Sequence, residues 1–240
     1  MATGKPCPYI RSNSKDADTI CTGTKHVRSG LPSTSCPLWV EGLQWAKQIG
    51  VRGNFDLDSF DASYQPEAYR IVTEWAQNPQ GLVILHSLPG LGKSHLALGA
   101  WYSLRRSLRP CYFTSSALFQ QLALQASRND DHGMMTKFVG ENLLTCSSSY
   151  FEEASEAKPH KTPVVFDDLG AERTTDTMLD FFERLLNYHD AMILTTNLDM
   201  VQITARYQER ISSRLQQASH RVWLQGQDWR CLQSSECEHV

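Results

Sequence analysis

The segment His86-Ser-Leu-Pro-Gly-Leu-Gly-Lys-Ser94 constrains this chain more than any other, because of what flanks it. Before it stands a short apolar run, Gly81-Leu-Val-Ile-Leu-His86, of the kind that forms a strand buried on both faces. After it, Ser94 to Leu108 places Leu96, Ala97, Ala100, Trp101 and Leu104 at helical spacing. A strand, a glycine-rich turn and an amphipathic helix in that order make a βα unit. The turn fits G-x-x-x-x-G-K-[ST], except that Ser87 stands in the first glycine position. Gly90 and Gly92 let backbone N–H groups turn inward around phosphate oxygens, and the helix beginning near Lys93 adds its positive end. A chance Gly-Lys-Ser would lack such flanks. The expected nucleoside triphosphate site, most simply ATP with Mg²⁺, is therefore Leu88, Pro89, Gly90, Leu91, Gly92, Lys93, Ser94 and His95. Lys93 would reach the β- and γ-phosphates, and Ser94 would ligate Mg²⁺.

The same alternation continues along the chain. Gln65 to Gln77 puts Ala68, Ile71, Val72 and Trp75 on one helix face, and Arg109-Pro110 stops the helix that follows the glycine-rich turn. Cys111 to Thr114 reads as a strand and Ala117 to Ala126 as a helix. Pro163 to Phe166 is a strand, Thr175 to His189 a helix with Met178, Leu179, Phe182, Leu185 and Leu186 inward, and Ala191 to Thr196 the next strand. Met134 to Leu144 and Tyr150 to Ala157 each suit a helix in an otherwise polar stretch. The expectation is an α/β fold, a doubly wound parallel sheet with helices on both faces and its ligand at the strand C-termini. Residues 1–50, rich in Ser, Thr, Lys, Gly and Pro, form a separate small N-terminal module with a linker, and 51–240 the main domain.

Composition excludes some classes of partner. A formal net charge of −3 rules out a globally basic nucleic-acid coat, so any DNA contact must come from a local patch. No run approaches the roughly 18 apolar residues of a membrane span, and the first residues lack the apolar core of a signal peptide. The expectation is a cytoplasmic protein with no membrane partner. Its 7 cysteines then serve as reduced thiols or metal ligands more readily than as disulfides.

Polar residues collect at the ends of the later strands. Val164-Val-Phe-Asp-Asp168 ends in two carboxylates, which beside a phosphate-binding loop suit Mg²⁺ coordination by Asp167 and orientation of the attacking water by Asp168. Read alone, the pair also suits a loop start or a helix cap. Asn197 closes Leu194-Thr-Thr-Asn197, where an amide would sense the γ-phosphate or cap a turn. Arg210 and Arg214 lie four apart and share a helix face, either as a solvated surface or with one of them reaching a neighbouring subunit's γ-phosphate. Arg230 is a further candidate phosphate contact.

Together these segments resemble the AAA+ ATPases that load bacterial replicative helicases, the DnaC/DnaI type, and the related IstB-like transposition ATPases. The likeness covers about residues 52 to 232. It rests on Asn54-Phe-Asp-Leu-Asp-Ser-Phe60, Gly90-Leu-Gly-Lys-Ser-His-Leu-Ala97, Phe166-Asp-Asp-Leu-Gly-Ala-Glu172, Thr195-Thr-Asn197, Glu209-Arg-Ile-Ser-Ser-Arg214 and Gly226-Gln-Asp-Trp-Arg230. The resemblance implies that Arg214 is an arginine finger, Asn197 a first sensor and Arg230 a second, so that Lys93, Asp168, Asn197 and Arg214 carry catalysis. It implies a slow, partner-stimulated ATPase acting on a hexameric replicative helicase, contacting single-stranded DNA and associating head to tail with ATP. Some such loaders carry a zinc-binding N-terminal domain, and Cys7, Cys21, His26 and Cys36 would make one tetrahedral Zn²⁺ site here. Two other readings stay open: an IstB-like helper that binds duplex DNA and recruits a transposase, and a nucleotide-switched binding protein with negligible hydrolysis, suggested by Asp168 and Ser87. The chain departs from the family at Ser87 and in a longer, Ser-rich stretch around Cys146 to Lys158.

Overall fold

The computed structural model describes residues 37–52, 54–107, 109–128 and 162–229, with four short backbone segments upstream. Those segments are β1 (Lys5–Pro6), β2 (Ile20–Cys21), β3 (Lys25–Val27) and β4 (Thr34–Ser35), paired in that order as an antiparallel meander. The helices expected at 134–144 and 150–157 lie outside the described residues.

The main sheet has five parallel strands. They are β5 (Gly81–His86), β6 (Tyr112–Ser115), β7 (Val164–Leu169), β8 (Ala191–Thr196) and β9 (His220–Trp223), in the spatial order β6-β7-β8-β5-β9. Strand β9 has only Val222 buried, and this polar edge carries no apolar run by which the sequence would betray it. Register matters for function. Gly81 pairs with Ala191 and His86 with Thr196, so the ends of β5 and β8 are level, and β7 ends beside them with Leu169 opposite Thr196.

Helices cover both faces because alternate strand residues point to opposite sides. Val83 and Leu85 of β5 join one buried cluster and Ile84 the other. The first face is covered by α1 (Pro37–Ile49), α2 (Pro66–Gln77) and α3 (Lys93–Arg106), the second by α4 (Ser116–Arg128), α5 (Asp176–Tyr188), α6 (Met200–Arg206) and α7 (Glu209–Gln216). Local chemistry sets the starts of these helices. Pro66 opens α2, whose missing N–H matters least in the first turn, Thr175 accepts from Met178 N at 3.2 Å, and Asp199 with Gln202 forms a reciprocal cap on α6.

Helix α1 lies within the segment read from sequence as an appended module, yet it packs into the main core. Trp39 stacks on Phe55 with ring centroids 4.4 Å apart, Trp45 meets Phe113, and Glu41 pairs with the buried Arg105 of α3 at 3.3 Å. The packed body therefore reaches back to Leu38.

Candidate functional site

The glycine-rich loop leaves β5 at His86 and enters α3 at Lys93, so it caps the C-terminal end of the sheet. Gly90 and Gly92 have φ of 81° and 89°, a left-handed backbone that a side chain disfavours. Neighbours enforce the same choice: a Cβ on Gly92 would sit 2.7 Å from the Phe60 ring, and one on Gly90 would sit 1.8 Å from Asp228 Oδ1. Leu91 is buried beneath the loop while Leu88 is exposed at its rim.

Lys93 is buried, and its ammonium is surrounded by oxygens of the chain itself. Nζ lies 3.0 Å from Ser87 O, 2.9 Å from Ser87 Oγ, 2.9 Å from Leu88 O and 2.9 Å from Asn197 Oδ1. Ser87, standing where the pattern has glycine, is wholly buried, and its hydroxyl also lies 2.8 Å from Leu88 O. His95 faces elsewhere: its ring packs edge-on against Phe60, and Nε2 lies 3.2 Å from Asp56 O and 3.3 Å from Ser59 Oγ. Burial there lowers the His95 pKa, opposed by Asp56.

The two carboxylates sit where β7 breaks register between Phe166 and Leu169. Asp168 there has φ of 61°, the one non-glycine residue with positive φ among the described residues. Three side chains hold it in that strained region. Its N–H donates to Thr195 Oγ1 at 2.8 Å, its carbonyl accepts from Ser116 Oγ at 2.7 Å, and its Oδ1 accepts from Asn197 Nδ2 at 2.9 Å. Thr195 Oγ1 in turn donates to Asp167 Oδ1 at 2.7 Å, and the Ser94 hydroxyl also bonds to Asp167. Burial pushes the Asp167 pKa up to about 6, with the Thr195 and Ser94 hydrogen bonds and Lys93 opposing and Asp168 adding. Burial also raises Asp168, opposed by Lys93 and reinforced by Glu172.

Lys93, Asn197 and Asp168 thus form one hydrogen-bonded line, with Ser94, Asp167 and Thr195 beside it. Arg214 is not part of it. It lines a small cleft with Gly81, Asp190 and Gln217, at the end of the sheet where β5 and β8 begin. Arg210 is exposed and lies 3.6 Å from Glu183. Arg230, Cys7 and Cys36 lie outside the described residues, whereas Cys21 and His26 are cross-strand partners in the N-terminal meander. Among the described residues no group of three His, Cys, Asp or Glu gathers as a metal site, and no helix is long and apolar enough to cross a membrane.

Roles for Tyr64, Gln65, Leu224 and Gln225 were missed from sequence, and Gly226 to Trp229 and Glu172 entered only within segments that carry the resemblance, without a role. Residues 224–229 lie across the loop as a strap: Leu224 N donates to His86 O at 3.0 Å, Trp229 N to Gly90 O at 3.0 Å, Gln65 Nε2 to Gln225 O at 2.7 Å, and Tyr64 OH to Gln227 O. Glu172 is buried, accepts from Gly170 N at 2.8 Å and from Tyr207 OH, and lies beside Arg206, tying the end of β7 to the α6–α7 corner. The strap and the Glu172–Tyr207 bond join residues far apart in sequence, so these roles have no local signature.

This arrangement, with a glycine-rich loop after β5, paired carboxylates after β7 and a polar amide after β8, is an α/β fold whose five-stranded parallel sheet carries helices on both faces. No protein-family model and no curated protein matches the chain. Solved structures do match. The DnaC helicase loader superposes with a TM-score of 0.52 at 21% identity, covering 72% of this chain and 97% of the loader. DnaI gives 0.54 at 18% identity, covering 71% and 90%. The replication initiator DnaA bound to AMPPCP and single-stranded DNA gives 0.59 at 15% identity, covering 77% of this chain and 56% of that one, so the chain matches little more than half of the initiator.

Proposed function

We propose that this chain is an ATP-binding and slowly hydrolysing AAA+ protein that loads or remodels a hexameric replicative helicase on DNA. The observation that carries the reading is the continuous line Lys93–Asn197–Asp168 at the strand C-termini, set beside the Ser94–Asp167 contact. These groups fit a magnesium nucleotide. Gly90 and Gly92 give the left-handed backbone by which loop N–H groups turn toward phosphate oxygens, Lys93 would supply the charge they need, and the contact between Ser94 and Asp167 supports their holding Mg²⁺ together. The bound metal would neutralise charge on the transferring phosphoryl group. Asn197 would report on the γ-phosphate position, a role its bonds to both Lys93 and Asp168 support. Asp168 would orient water, and its short side chain, engaged by Asn197, supports slow turnover.

The site of Arg214 supports head-to-tail association. It lies at the opposite end of β5 from the cradle, which supports a role on a neighbouring subunit's nucleotide over one on its own, and such contacts are heterologous. Arg230 would complete the site as a second sensor. The N-terminal residues would grip the helicase. The cross-strand pairing of Cys21 with His26 supports a shared Zn²⁺ site with Cys7 and Cys36. Contact with single-stranded DNA, through backbone charge and stacking, would be salt-sensitive.

Two measurements test this. A replicative helicase should be retained by the protein in an ATP-dependent pull-down; stable ATP-dependent coating of duplex DNA without helicase capture would replace the loader reading with the transposition-helper one. Phosphate release should be lost in Lys93→Ala and in Arg214→Ala. Mixing the two variants should restore part of it, because each keeps the half the other lacks; no recovery on mixing refutes action between subunits. Undetectable wild-type turnover with intact nucleotide binding would leave a nucleotide switch.

A further inference from the structure

The geometry points to Ser87 as a positioning residue that holds Lys93 back from the phosphate cradle and so sets how tightly nucleotide binds. The inference rests on the reading of the loop as a nucleotide site and adds to it a control specific to this chain.

An ammonium group has three hydrogens, and here four oxygens stand within 3.0 Å of it: Ser87 O, Ser87 Oγ, Leu88 O and Asn197 Oδ1. Lys93 is therefore satisfied by the protein itself. A phosphate oxygen held by the loop N–H groups would need one of those three hydrogens. At least one existing contact must be given up. Three of the four acceptors are backbone carbonyls of the turn or the Asn197 amide, and these would be present whatever residue stood at 87. The Ser87 hydroxyl is the acceptor that the glycine of the usual pattern would not supply.

Its surroundings make it effective. Ser87 is wholly buried, its N–H donates to Thr196 O at 3.3 Å, and its backbone continues the paired end of β5 and β8, so the hydroxyl has little freedom to swing away. A buried, preorganised acceptor bonded to a cation is worth more than an exposed one. The contact stabilises the nucleotide-free loop and is lost on binding, so it lowers affinity by the strength of one charge-assisted hydrogen bond, shared among competing acceptors.

The test is calorimetric titration of the full chain with a non-hydrolysable ATP analogue and Mg²⁺. Ser87→Ala, which keeps the Cβ and loses the hydroxyl, should bind about tenfold more tightly than wild type, and Ser87→Gly should gain similarly. In a Lys93→Ala background the same Ser87→Ala change should leave affinity unaltered. A serine that only shapes the turn would shift affinity equally in both backgrounds, so the double-mutant cycle separates the two roles. Unchanged or weaker binding by Ser87→Ala, or a gain that persists without Lys93, overturns the proposal while leaving the nucleotide site standing. A wild-type protein that binds no nucleotide overturns both.

Discussion

Asp167 carries its charge in one of the most enclosed positions of the sheet, and that has a measurable effect on the stability of the nucleotide-free protein. Burial is the largest influence on its carboxyl, raising the pKa from an ordinary 3.8 to about 6 despite two hydroxyl hydrogen bonds and Lys93. The native state thus keeps the proton to higher pH than the unfolded chain does. Stability from this group is fully present below about pH 4 and is lost as the pH rises through 6. A rise from 3.8 to about 6 corresponds, at about 1.4 kcal/mol per pH unit, to about 3 kcal/mol by pH 8.

Asp167→Asn removes the charge while keeping an oxygen to accept from Thr195 Oγ1, now 2.7 Å from the carboxylate. Without Mg²⁺ or nucleotide, the variant should be more stable than wild type at pH 8 by up to about 3 kcal/mol, or about 6 to 12 °C in Tm for a chain of this size. The advantage should shrink on acidification and vanish only below about pH 4, where Asp167 is protonated in the native and the unfolded state alike. Urea or thermal unfolding of both proteins between about pH 3.5 and 8 makes the measurement. Equal stability at pH 8, or a difference that does not close with acid, refutes the view that this carboxylate is held charged against its environment. The same variant should lose Mg²⁺-dependent nucleotide binding, so the gain in stability comes at the expense of the proposed function.

Other perturbations follow from the same contacts. Gly90→Ala, whose Cβ would fall 1.8 Å from Asp228 Oδ1, should displace the strap of residues 224–229 and weaken nucleotide binding at least tenfold, with only about 1 to 2 kcal/mol of lost stability, read by titration and by unfolding in parallel. Glu172→Ala strips the Tyr207 hydroxyl and Gly170 N–H of their acceptor and leaves Arg206 beside an apolar gap; a loss of about 3 kcal/mol in urea unfolding is expected, and about 1 kcal/mol for Tyr207→Phe. A chain begun at residue 51 loses Leu38, Trp39, Trp45 and Ala46 from the core and should unfold well below one begun at residue 37, whereas equal melting of the two would return α1 to the N-terminal module. Nucleotide affinity in the presence of Mg²⁺ should rise with pH through about 6, as Asp167 gives up its proton, and a flat profile from pH 5 to 8 would count against Asp167 as the metal ligand.

What the sequence disclosed and what it concealed divide along a physical line. The loop was legible because phosphate binding needs backbone N–H groups, glycine freedom, one cation and one hydroxyl within nine consecutive residues, so its whole chemistry is local. Strands β5, β7 and β8 were legible because central parallel strands are buried on both faces and must read as apolar runs, and each carried its polar terminus with it. Helix α1 was equally open to reading: Leu38, Trp45 and Ala46 repeat at helical spacing, but the polar residues upstream led it to be grouped with the N-terminal module. Edge strand β9 offered one buried valine, too little for any periodicity.

The site residues also meet across the sheet, and their surroundings along the chain do not announce those contacts even where, as at Asn197, the strand end marked the residue itself. Thr195 reads as an ordinary strand residue, yet its single hydroxyl joins Asp167 to the backbone of Asp168 and so fixes the relative placement of both carboxylates. Ser116 and Asn197, the residues that directly follow the two neighbouring strands, complete that hold, which is why Asp168 tolerates φ of 61° without being glycine. Ser87 looked like a defect in a motif. Its buried hydroxyl, 2.9 Å from Lys93 Nζ, makes it a partner of the lysine that the motif exists to present. A consensus pattern names the groups that touch the ligand, whereas the resting position of those groups is set by residues the pattern leaves free, and in this chain that freedom has been used at the first position of the loop.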